Sequence, residues 1–199
     1  MLILYHAPQS RSSRILWLLE ELGEPHQVEY MDIRRADGTG ARDPRNPHPD
    51  KKVPALRHDG RLVTESAAIC LYLSDAFPRA KLGPAVGDPR RADYLTWLFY
   101  YPGVIEPVVV AKATGRADAD PGEKEAFEAM ERRLRGALER GPYLLGDAFS
   151  TADILLASVF QWGPHHIMPK GELFDGYLGR LSARPALARA LARDAAPKG

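Results

Sequence analysis

Cysteine is almost absent from this chain, because Cys70 is the only one among 199 residues. A single cysteine cannot form an intrachain disulfide, which excludes the class of small secreted proteins that disulfides hold together. The same count excludes a Cys-x-x-Cys redox pair and a zinc site built from several cysteines. Cys70 is therefore predicted to be a small, buried, apolar side chain.

Long apolar runs and an excess of one charge sign are also lacking. No stretch approaches the length of a membrane span. Residues 1–8 lack the basic region and the long apolar run of a signal peptide, so a cytoplasmic location is expected. Lys and Arg total 27 against 26 Asp and Glu, which leaves a net charge of +1 and predicts neither a nucleic-acid nor a membrane partner. His165 and His166 are adjacent without companion ligands, so no metal site is expected.

Strand and helix signals alternate over residues 1–78, which predicts an α/β domain there. The first two strands are separated by a helix, so they are expected to be parallel, and the last two form a hairpin, so they are expected to be antiparallel. The predicted elements are a strand over Leu2–Tyr5, a helix from Ser12 or Ser13 to Gly23, a strand over Gln27–Met31, a loop over Arg34–Asp50, a hairpin of Ala55–His58 and Arg61–Thr64, and a helix from Ser66.

Only helical patterns follow a Pro- and Gly-rich linker over residues 79–88, so residues 89–199 are predicted to form an all-helical domain. Ser150 followed by Asp153 is a capping-box variant before an apolar segment, which indicates a buried central helix. The first predicted helix begins at Pro89 with Asp88 as cap, and Pro102-Gly103 should bend or interrupt it. The other predicted helices are Glu123–Arg140, Ala152–Trp162, Glu172–Leu181 and Pro185–Arg193.

Val53-Pro54 precedes the third predicted strand, and two interpretations of it are open. Proline is common at the start of a strand because it cannot donate a ladder hydrogen bond. Alternatively, the bond between the two residues is cis, as in a minority of X-Pro bonds. The turn would then point the N–H and C=O of Val53 outwards, where a peptide-like ligand could pair with them as an added strand.

Glu65-Ser66 lies at the predicted start of a helix, just beyond the hairpin. Ser66 could simply cap this helix. Alternatively, its hydroxyl and amide hold an α-carboxylate, since helix N-termini carry unpaired N–H groups and partial positive charge. Glu65 would then face the neighbouring ammonium group. The placement of both motifs on either side of one hairpin favours a ligand site.

These motifs resemble a known family. Val53-Pro54 before a hairpin, followed by Glu-Ser-x-Ala-Ile over residues 65–69, is similar to the glutathione site of cytosolic glutathione transferases. Residues 10–23 resemble the first helix of bacterial members, and residues 146–154 resemble the start of the buried helix. The resemblance implies a bacterial, serine-type-like member with a thioredoxin-like N-terminal domain, which holds a mixed four-stranded sheet, and an all-α C-terminal domain. It also implies a homodimer.

The resemblance further implies that glutathione is the co-substrate, that no metal takes part, and that the activity is detoxifying transfer to a small hydrophobic electrophile. Alternatives within the same fold are a non-catalytic glutathione-binding module and a glutathione-dependent isomerase or peroxidase. In a transferase the glutathione thiol must ionise, although the pKa of a free thiol is about 8.5. Lowering it by about 2 units needs about 2.7 kcal/mol, which one or two hydroxyl donors can supply.

The donor to this thiolate is less clearly marked. Family members carry a Ser or Cys fourteen residues before the glycine that ends the first helix, and here that place before Gly23 holds Gln9. Ser10 is adjacent and is our first candidate. Tyr5, at the place used by tyrosine-type members, is the second, and Gln9 is a possible amide donor. The resemblance assigns Lys52 to the glycine carboxylate, although a solvated lysine fits as well.

Aromatic residues of the helical domain are candidates for the acceptor pocket, which the resemblance places between the domains. Helically spaced aromatic residues are equally typical of a core. Ser12 and Ser13 are expected to cap the first helix, and two interpretations of His6 are open: it contacts the ligand, or it lies at the surface without a special role. The acceptor candidates are Tyr94, Trp97, Tyr101 and Val104, with Trp162 as a weaker one.

Overall fold

A computed structural model describes residues 1–162 and 169–195, apart from the side chains of residues 161 and 162. The chain divides into two compact units. Met1–Leu73 and the segment from Arg184 onward form the first unit, and Ser74–Ala183 forms the second. The sequence predicted a linker at residues 79–88 and assigned all of residues 89–199 to the second domain. In the structure, the last helix belongs to the first unit instead.

The first unit contains a mixed sheet whose strands are β1 (Leu2–His6), β2 (His26–Tyr30), β3 (Ala55–His58) and β4 (Arg61–Thr64). Their order is β2-β1-β3-β4. The central strand β1 pairs in parallel with β2, so that Leu4 lies opposite Val28, and antiparallel with β3, so that Leu4 lies opposite Leu56. The predicted topology and the hairpin are confirmed, and Asp59 and Gly60 at its turn have φ of 46° and 84°, as a two-residue turn requires.

Helix α1 (Ser13–Leu22) connects β1 to β2. Its apolar side chains, from Ile15 to Leu19, are fully buried and form part of the core beside the sheet. Gly23 ends the helix with φ of 69°, a left-handed conformation that glycine adopts without steric penalty, and its N–H donates to the carbonyl of Leu19. The predicted end of the first helix is confirmed.

Helix α2 (Ser66–Ala76) follows β4. Its Ile69, Cys70 and Leu73 side chains are buried, and the prediction of a buried Cys70 is confirmed. The N–H of Ile69 donates to the carbonyl of Glu65 at 2.9 Å, so Glu65 caps the helix through its backbone.

The second unit is helical. Its helices are α3 (Arg91–Tyr100), α4 (Glu106–Ala113), α5 (Arg116–Ala119), α6 (Pro121–Leu138), α7 (Thr151–Trp162) and α8 (Glu172–Ser182). A π-helical turn over Tyr101–Ile105 interrupts the run from α3 to α4, at the predicted Pro-Gly bend. Helix α3 begins later than predicted, because the Asp88 carboxylate binds the N–H and guanidinium of Arg90 and the last preceding turn is not helical.

The start of α7 is built around the fully buried carboxylate of Asp153. One oxygen accepts from Leu144 N at 2.9 Å and from the Tyr177 hydroxyl at 3.1 Å. The other accepts from Ser150 N at 2.9 Å and from the Ser150 hydroxyl at 3.1 Å. Burial raises the pKa of Asp153 to about 6, although these four donors favour the ionised form. The predicted link between Ser150 and Asp153 is confirmed.

Helix α9 (Pro185–Asp194) completes the first unit by packing against α1. The Arg184 guanidinium contacts both carboxylate oxygens of Glu21, at 2.6 and 2.8 Å. Arg189 and Arg193 both bind the Glu20 carboxylate, at 2.9 and 2.5 Å. These pairs hold α9 beside α1, so that Asp194 at the end of α9 reaches Gln9 in the loop that follows β1.

Candidate glutathione site

A cavity of about 690 Å³ lies in the first unit. Its volume is within the range of small-molecule sites in proteins. Its walls come from the loop after β1, the loop after β2, the turn before β3 and the start of α2. The lining residues are Gln9, Ser10, Arg11, Ile33, Arg34, Arg35, Ala36, Arg42, His48, Asp50, Lys51, Lys52, Val53, Pro54, Glu65 and Ser66.

The two sequence motifs that predicted a ligand site meet at this cavity. Val53 and Pro54 form one wall, and the bond between them is cis, which is the second of the two predicted alternatives. Glu65 and Ser66 form another wall, at the N-terminus of α2. Two motifs separated by a hairpin in the sequence therefore share one cavity.

Uncommon backbone conformations are concentrated at the same cavity. Gln9, Lys51 and Glu65 have φ of 52°, 56° and 68°, which are unusual values for residues other than glycine. Such conformations persist only where the surrounding structure holds them, and they are frequent at binding and active sites. All three residues line the cavity.

Positive charge dominates the lining. Six cationic side chains face two carboxylates, those of Asp50 and Glu65. A ligand with more negative than positive charge is therefore favoured. Some of these cations also hold the walls in place, since Arg35 donates to the carbonyl of Pro8 at 2.9 Å and Lys51 donates to that of Asn46 at 2.7 Å. The cations are Arg11, Arg34, Arg35, Arg42, Lys51 and Lys52.

Ser10 is half-buried at the cavity wall, and its hydroxyl has three partners inside the protein. Its Oγ lies 2.7 Å from the carbonyl oxygen of Ala7 and 2.8 Å from the Oγ of Ser12, and it accepts from Ser12 N at 3.2 Å. A hydroxyl has one proton and two lone pairs, so in this arrangement Ser10 donates inwards, accepts from Ser12 N with one lone pair, and has one lone pair left for a ligand.

Ser12 and His6 differ from their predicted roles. The Ser12 hydroxyl does not cap α1. It accepts from Ala7 N at 3.1 Å and lies 2.8 Å from His6 Nδ1. The prediction of a surface His6 is wrong, because its side chain is completely buried. Ser13 accepts from Ser10 N at 3.3 Å, so it shapes the loop before the helix.

His6 contacts Asp194, the last residue of α9. His6 Nε2 lies 3.4 Å from the Asp194 carbonyl oxygen and 3.5 Å from its carboxylate Oδ1. Burial lowers the pKa of His6 below 6.5, and the nearby Arg193 lowers it further, whereas Asp194 opposes the shift. His6 is therefore neutral at neutral pH in the free protein. Sequence reasoning missed this pair because the two residues are 188 positions apart.

Tyr5 and Gln9, the other two predicted thiolate donors, occupy different positions relative to the cavity from that of Ser10. Tyr5 packs against an apolar cluster of Ala7, Met31 and Val53, and it is outside the set of residues that line the cavity. Gln9 is exposed at the cavity, and its backbone N–H donates to Asp194 Oδ2 at 3.1 Å. Ser10 is therefore the one hydroxyl among the three candidates that reaches the cavity wall.

The acceptor candidates belong to the second unit. Tyr94 has no exposed surface, and its hydroxyl binds Ser74 and Thr151 at 2.9 and 2.7 Å, so the prediction that it lines a pocket is wrong. Tyr101 is also buried, and Val104 is half-buried within the π-helical turn. Trp97 lines a groove of about 540 Å³ in this unit. The Trp162 side chain lies outside the described residues.

Across residues 1–162 and 169–195, no three His, Cys, Asp or Glu side chains come together in a group that could hold a metal ion. His165 and His166 lie outside those ranges. None of the helices within them is long and apolar enough to cross a membrane.

Both halves of the chain match one family. The profile of the glutathione S-transferase N-terminal domain matches residues 10–76, and that of the C-terminal domain matches residues 92–186. The chain belongs to the glutathione S-transferase family. The predicted fold, a thioredoxin-like domain with an all-helical domain, and the predicted enzyme class of glutathione S-transferase are confirmed. The finer, serine-type assignment goes beyond these matches.

Individual relatives agree with this family. The chain is 32% identical to glutathione S-transferase 3 of Schizosaccharomyces pombe over 56% of its length, which spans 45% of the yeast protein. It is 24% identical to the glutathione S-transferase GstA of Escherichia coli O157:H7, covering 96% of this chain and 98% of that one. A sphingomonad glutathione S-transferase solved in complex with glutathione is 26% identical, with a TM-score of 0.77 over 96% of this chain and 98% of that one.

Most of the cationic residues that line the cavity were not predicted as site residues from the sequence. Arg11, Arg34, Arg35 and Arg42 line it, but only Lys52 was named as a basic candidate. The predicted loop over Arg34–Asp50 carries most of them, and a long polar loop between two strands is itself a signal of function.

Proposed function

We propose that this glutathione S-transferase binds glutathione in the cavity of the first unit and activates the glutathione thiol as a thiolate. The observation that carries the proposal is the meeting of Val53-Pro54, Glu65-Ser66 and Ser10 around one cationic cavity. The sphingomonad relative, which was solved with glutathione, supports the choice of ligand.

Each part of glutathione has a complementary group in the cavity. The γ-glutamyl carboxylate is held by the Ser66 hydroxyl and the N-terminus of α2, where unpaired N–H groups favour anions. The Glu65 carboxylate faces the neighbouring ammonium. The backbone of Val53 pairs with the peptide part of the ligand, as an added strand would. Lys52 and the neighbouring arginines attract the glycine carboxylate. Two carboxylates and one ammonium on the ligand thus match a mainly cationic lining.

Ser10 is the donor that stabilises the thiolate, which makes the protein a serine-type member. To do this, its hydroxyl proton turns away from the Ala7 carbonyl and towards the sulfur. A hydrogen bond to a charged acceptor contributes about 1.5–3 kcal/mol, which corresponds to about a ten- to hundredfold effect on rate. The thiolate then attacks a small hydrophobic electrophile.

The acceptor side and the assembly remain proposals. Half-buried Val104 and Trp97, which is largely buried but lines the groove of the second unit, are the remaining candidates for contact with the electrophile. We also propose a homodimer, which is typical of the family. The cytoplasmic location predicted from the sequence stays a prediction.

Two measurements test this function. The protein should be retained on immobilised glutathione and eluted by free glutathione, and failure to bind would refute the site. A conjugation assay with a general aromatic electrophile should show a kcat/KM about ten- to hundredfold lower for Ser10→Ala, with a glutathione Kd within about threefold of wild type. Tyr5→Phe is the matched hydroxyl control and should keep its rate within about twofold. If Ser10→Ala also keeps full rate, the assignment of the donor is wrong.

A further inference from the structure

A continuous chain of polar contacts leads from the cavity wall into the interior of the first unit. Ser10 Oγ lies 2.8 Å from Ser12 Oγ, which lies 2.8 Å from His6 Nδ1. On the other side of the imidazole ring, Nε2 faces the carbonyl oxygen of Asp194 at 3.4 Å and its carboxylate at 3.5 Å. Ser12 and His6 have no exposed surface, so water does not interrupt the middle of this chain.

The surroundings of the His6 ring fix where its proton lies. Nε2 faces two oxygen acceptors of Asp194, so the proton of the neutral ring is on Nε2. Nδ1 is then an acceptor, and the Ser12 hydroxyl donates to it. With its own proton used in this way, Ser12 Oγ accepts from Ala7 N and can accept from Ser10. With neutral His6, the Ser12 hydroxyl donates to the ring, and the Ser10 hydroxyl can donate inwards to Ser12 or to the Ala7 carbonyl.

A protonated His6 reverses these directions. With a proton on Nδ1, the ring donates to Ser12 Oγ, and the Ser12 hydroxyl must donate to Ser10 Oγ or to the Ala7 carbonyl, at 2.8 and 3.2 Å. When Ser12 donates to Ser10 Oγ, the Ser10 proton cannot point at Ser12, and it is directed either to the Ala7 carbonyl or towards the cavity. A thiolate in the cavity attracts this proton, so the direction that it requires of Ser10 is compatible with a positively charged His6.

We propose that His6 is the base that receives the glutathione thiol proton, through the hydroxyls of Ser10 and Ser12. The thiol proton passes to Ser10 Oγ as the Ser10 proton passes to Ser12 Oγ and the Ser12 proton passes to His6 Nδ1. The S–H bond breaks and an N–H bond forms, so a neutral thiol and imidazole become a thiolate and an imidazolium. The Ser10 hydroxyl ends as a donor to the thiolate. This inference rests on the proposed function.

Asp194 is suited to stabilise the imidazolium. Its Oδ1 is buried and accepts no hydrogen bond within the described residues, and it lies 3.5 Å from His6 Nε2. Oδ2 is held by Gln9 N, which fixes the carboxylate in place. From α9, Arg193 opposes the positive charge on His6, and from β2 the Tyr30 ring packs edge-on at 5.5 Å. When glutathione is bound, the negative charge of its thiolate also attracts the imidazolium of His6, and this attraction is absent from the free protein.

The test compares the thiolate formed with the protons released. Thiolate is followed by ultraviolet absorbance, and protons by an indicator dye in weak buffer, as glutathione is added. S-methylglutathione, which has no thiol, gives the background. Wild type should release clearly less than one proton for each thiolate formed. His6→Asn keeps a side-chain amide near the place of Nδ1 but cannot take up the proton, so it should release one proton per thiolate, with a bound-thiol pKa raised by about one unit or more.

A second variant and a matched control separate the outcomes. Asp194→Asn removes the charge that faces Nε2, so it should also raise the number of protons released per thiolate and the pKa of the bound thiol. This variant tests the relay even if His6→Asn fails to fold. His58→Asn is the control, since His58 lies at the end of β3 and outside the cavity lining, and it should behave as wild type. If wild type releases one proton per thiolate and Asp194→Asn leaves the thiol pKa unchanged, the relay is refuted. If S-methylglutathione does not bind wild type, the proposed function itself fails.

Discussion

Replacement of Asp153 by asparagine should strongly destabilise the second unit. The carboxylate is completely buried and accepts four hydrogen bonds, from Leu144, Tyr177 and twice from Ser150. An asparagine of the same shape has one acceptor oxygen and one NH₂ group. In either orientation, the NH₂ group faces a backbone N–H, either that of Leu144 or that of Ser150, which is left without an acceptor.

The expected loss follows from these contacts. One buried N–H without a partner costs about 1–3 kcal/mol, and two hydrogen bonds that change from a charged to a neutral acceptor lose about 1 kcal/mol in total. We therefore expect a loss of about 3 kcal/mol, a large share of the 5–15 kcal/mol that is typical for a folded protein. For a chain of this size, the melting temperature should fall by about 6–12 °C.

Thermal and urea unfolding followed by circular dichroism measure this loss. Asp147→Asn is the matched control, because Asp147 is exposed in the same loop and should change stability by less than about 0.5 kcal/mol. If Asp153→Asn is as stable as this control, the four bonds do not hold the start of α7 as described here.

Two further substitutions test the loop that lines the cavity and the buried His6. Gly40→Ala should weaken glutathione binding, because a Cβ at residue 40 would lie 2.1 Å from the carbonyl oxygen of Ile33 and would displace the loop that lines the cavity. In the control Gly38→Ala, the added Cβ meets no atom within 4 Å, so affinity should change far less. Equal affinities of the two variants in calorimetry would contradict this. His6→Asn should flatten the acid dependence of stability. The pKa of His6 is lowered in the folded state, so the unfolded chain takes up more protons and wild type loses stability as pH falls through about 6.5. Urea unfolding at about pH 7.5 and about pH 5.5 measures how much unfolding free energy wild type and His6→Asn each lose on acidification. Asp153 contributes with the opposite sign, but equally in both proteins, so its contribution cancels in the comparison. An equal loss of stability in the two proteins would contradict the prediction.

Much of the fold was predictable because its signals are local. The apolar spacing of α1, the Asp59-Gly60 turn and the glycine that ends α1 each depend on a few neighbouring residues. The bounds of helix α4 were not predicted, since its sequence follows Pro102-Gly103 and carries a run of valines rather than a helical spacing. The place of α9 was also missed, because its pairing with α1 depends on charges far away in the sequence.

The candidate site divides in the same way. Val53-Pro54 and Glu65-Ser66 were found because each is a short motif with a known structural use. The partners of Ser12 were not, since a serine before a helix usually caps it, and nothing nearby shows that His6 will compete for its hydroxyl. Tyr94 was misplaced for a related reason, because an aromatic residue at helical spacing has the same pattern whether it lines a pocket or fills a core.

The pairing of α1 with α9 has a consequence for biosynthesis. The strands and α1 leave the ribosome first, but the arginines that bind Glu20 and Glu21 are made only after residues 74–183. At ordinary translation rates this interval is roughly 5–20 s. During it, the side of α1 that α9 later covers is open to chaperones and to other nascent chains. Release of a nearly complete chain that stops before Arg184 should therefore yield an aggregation-prone product.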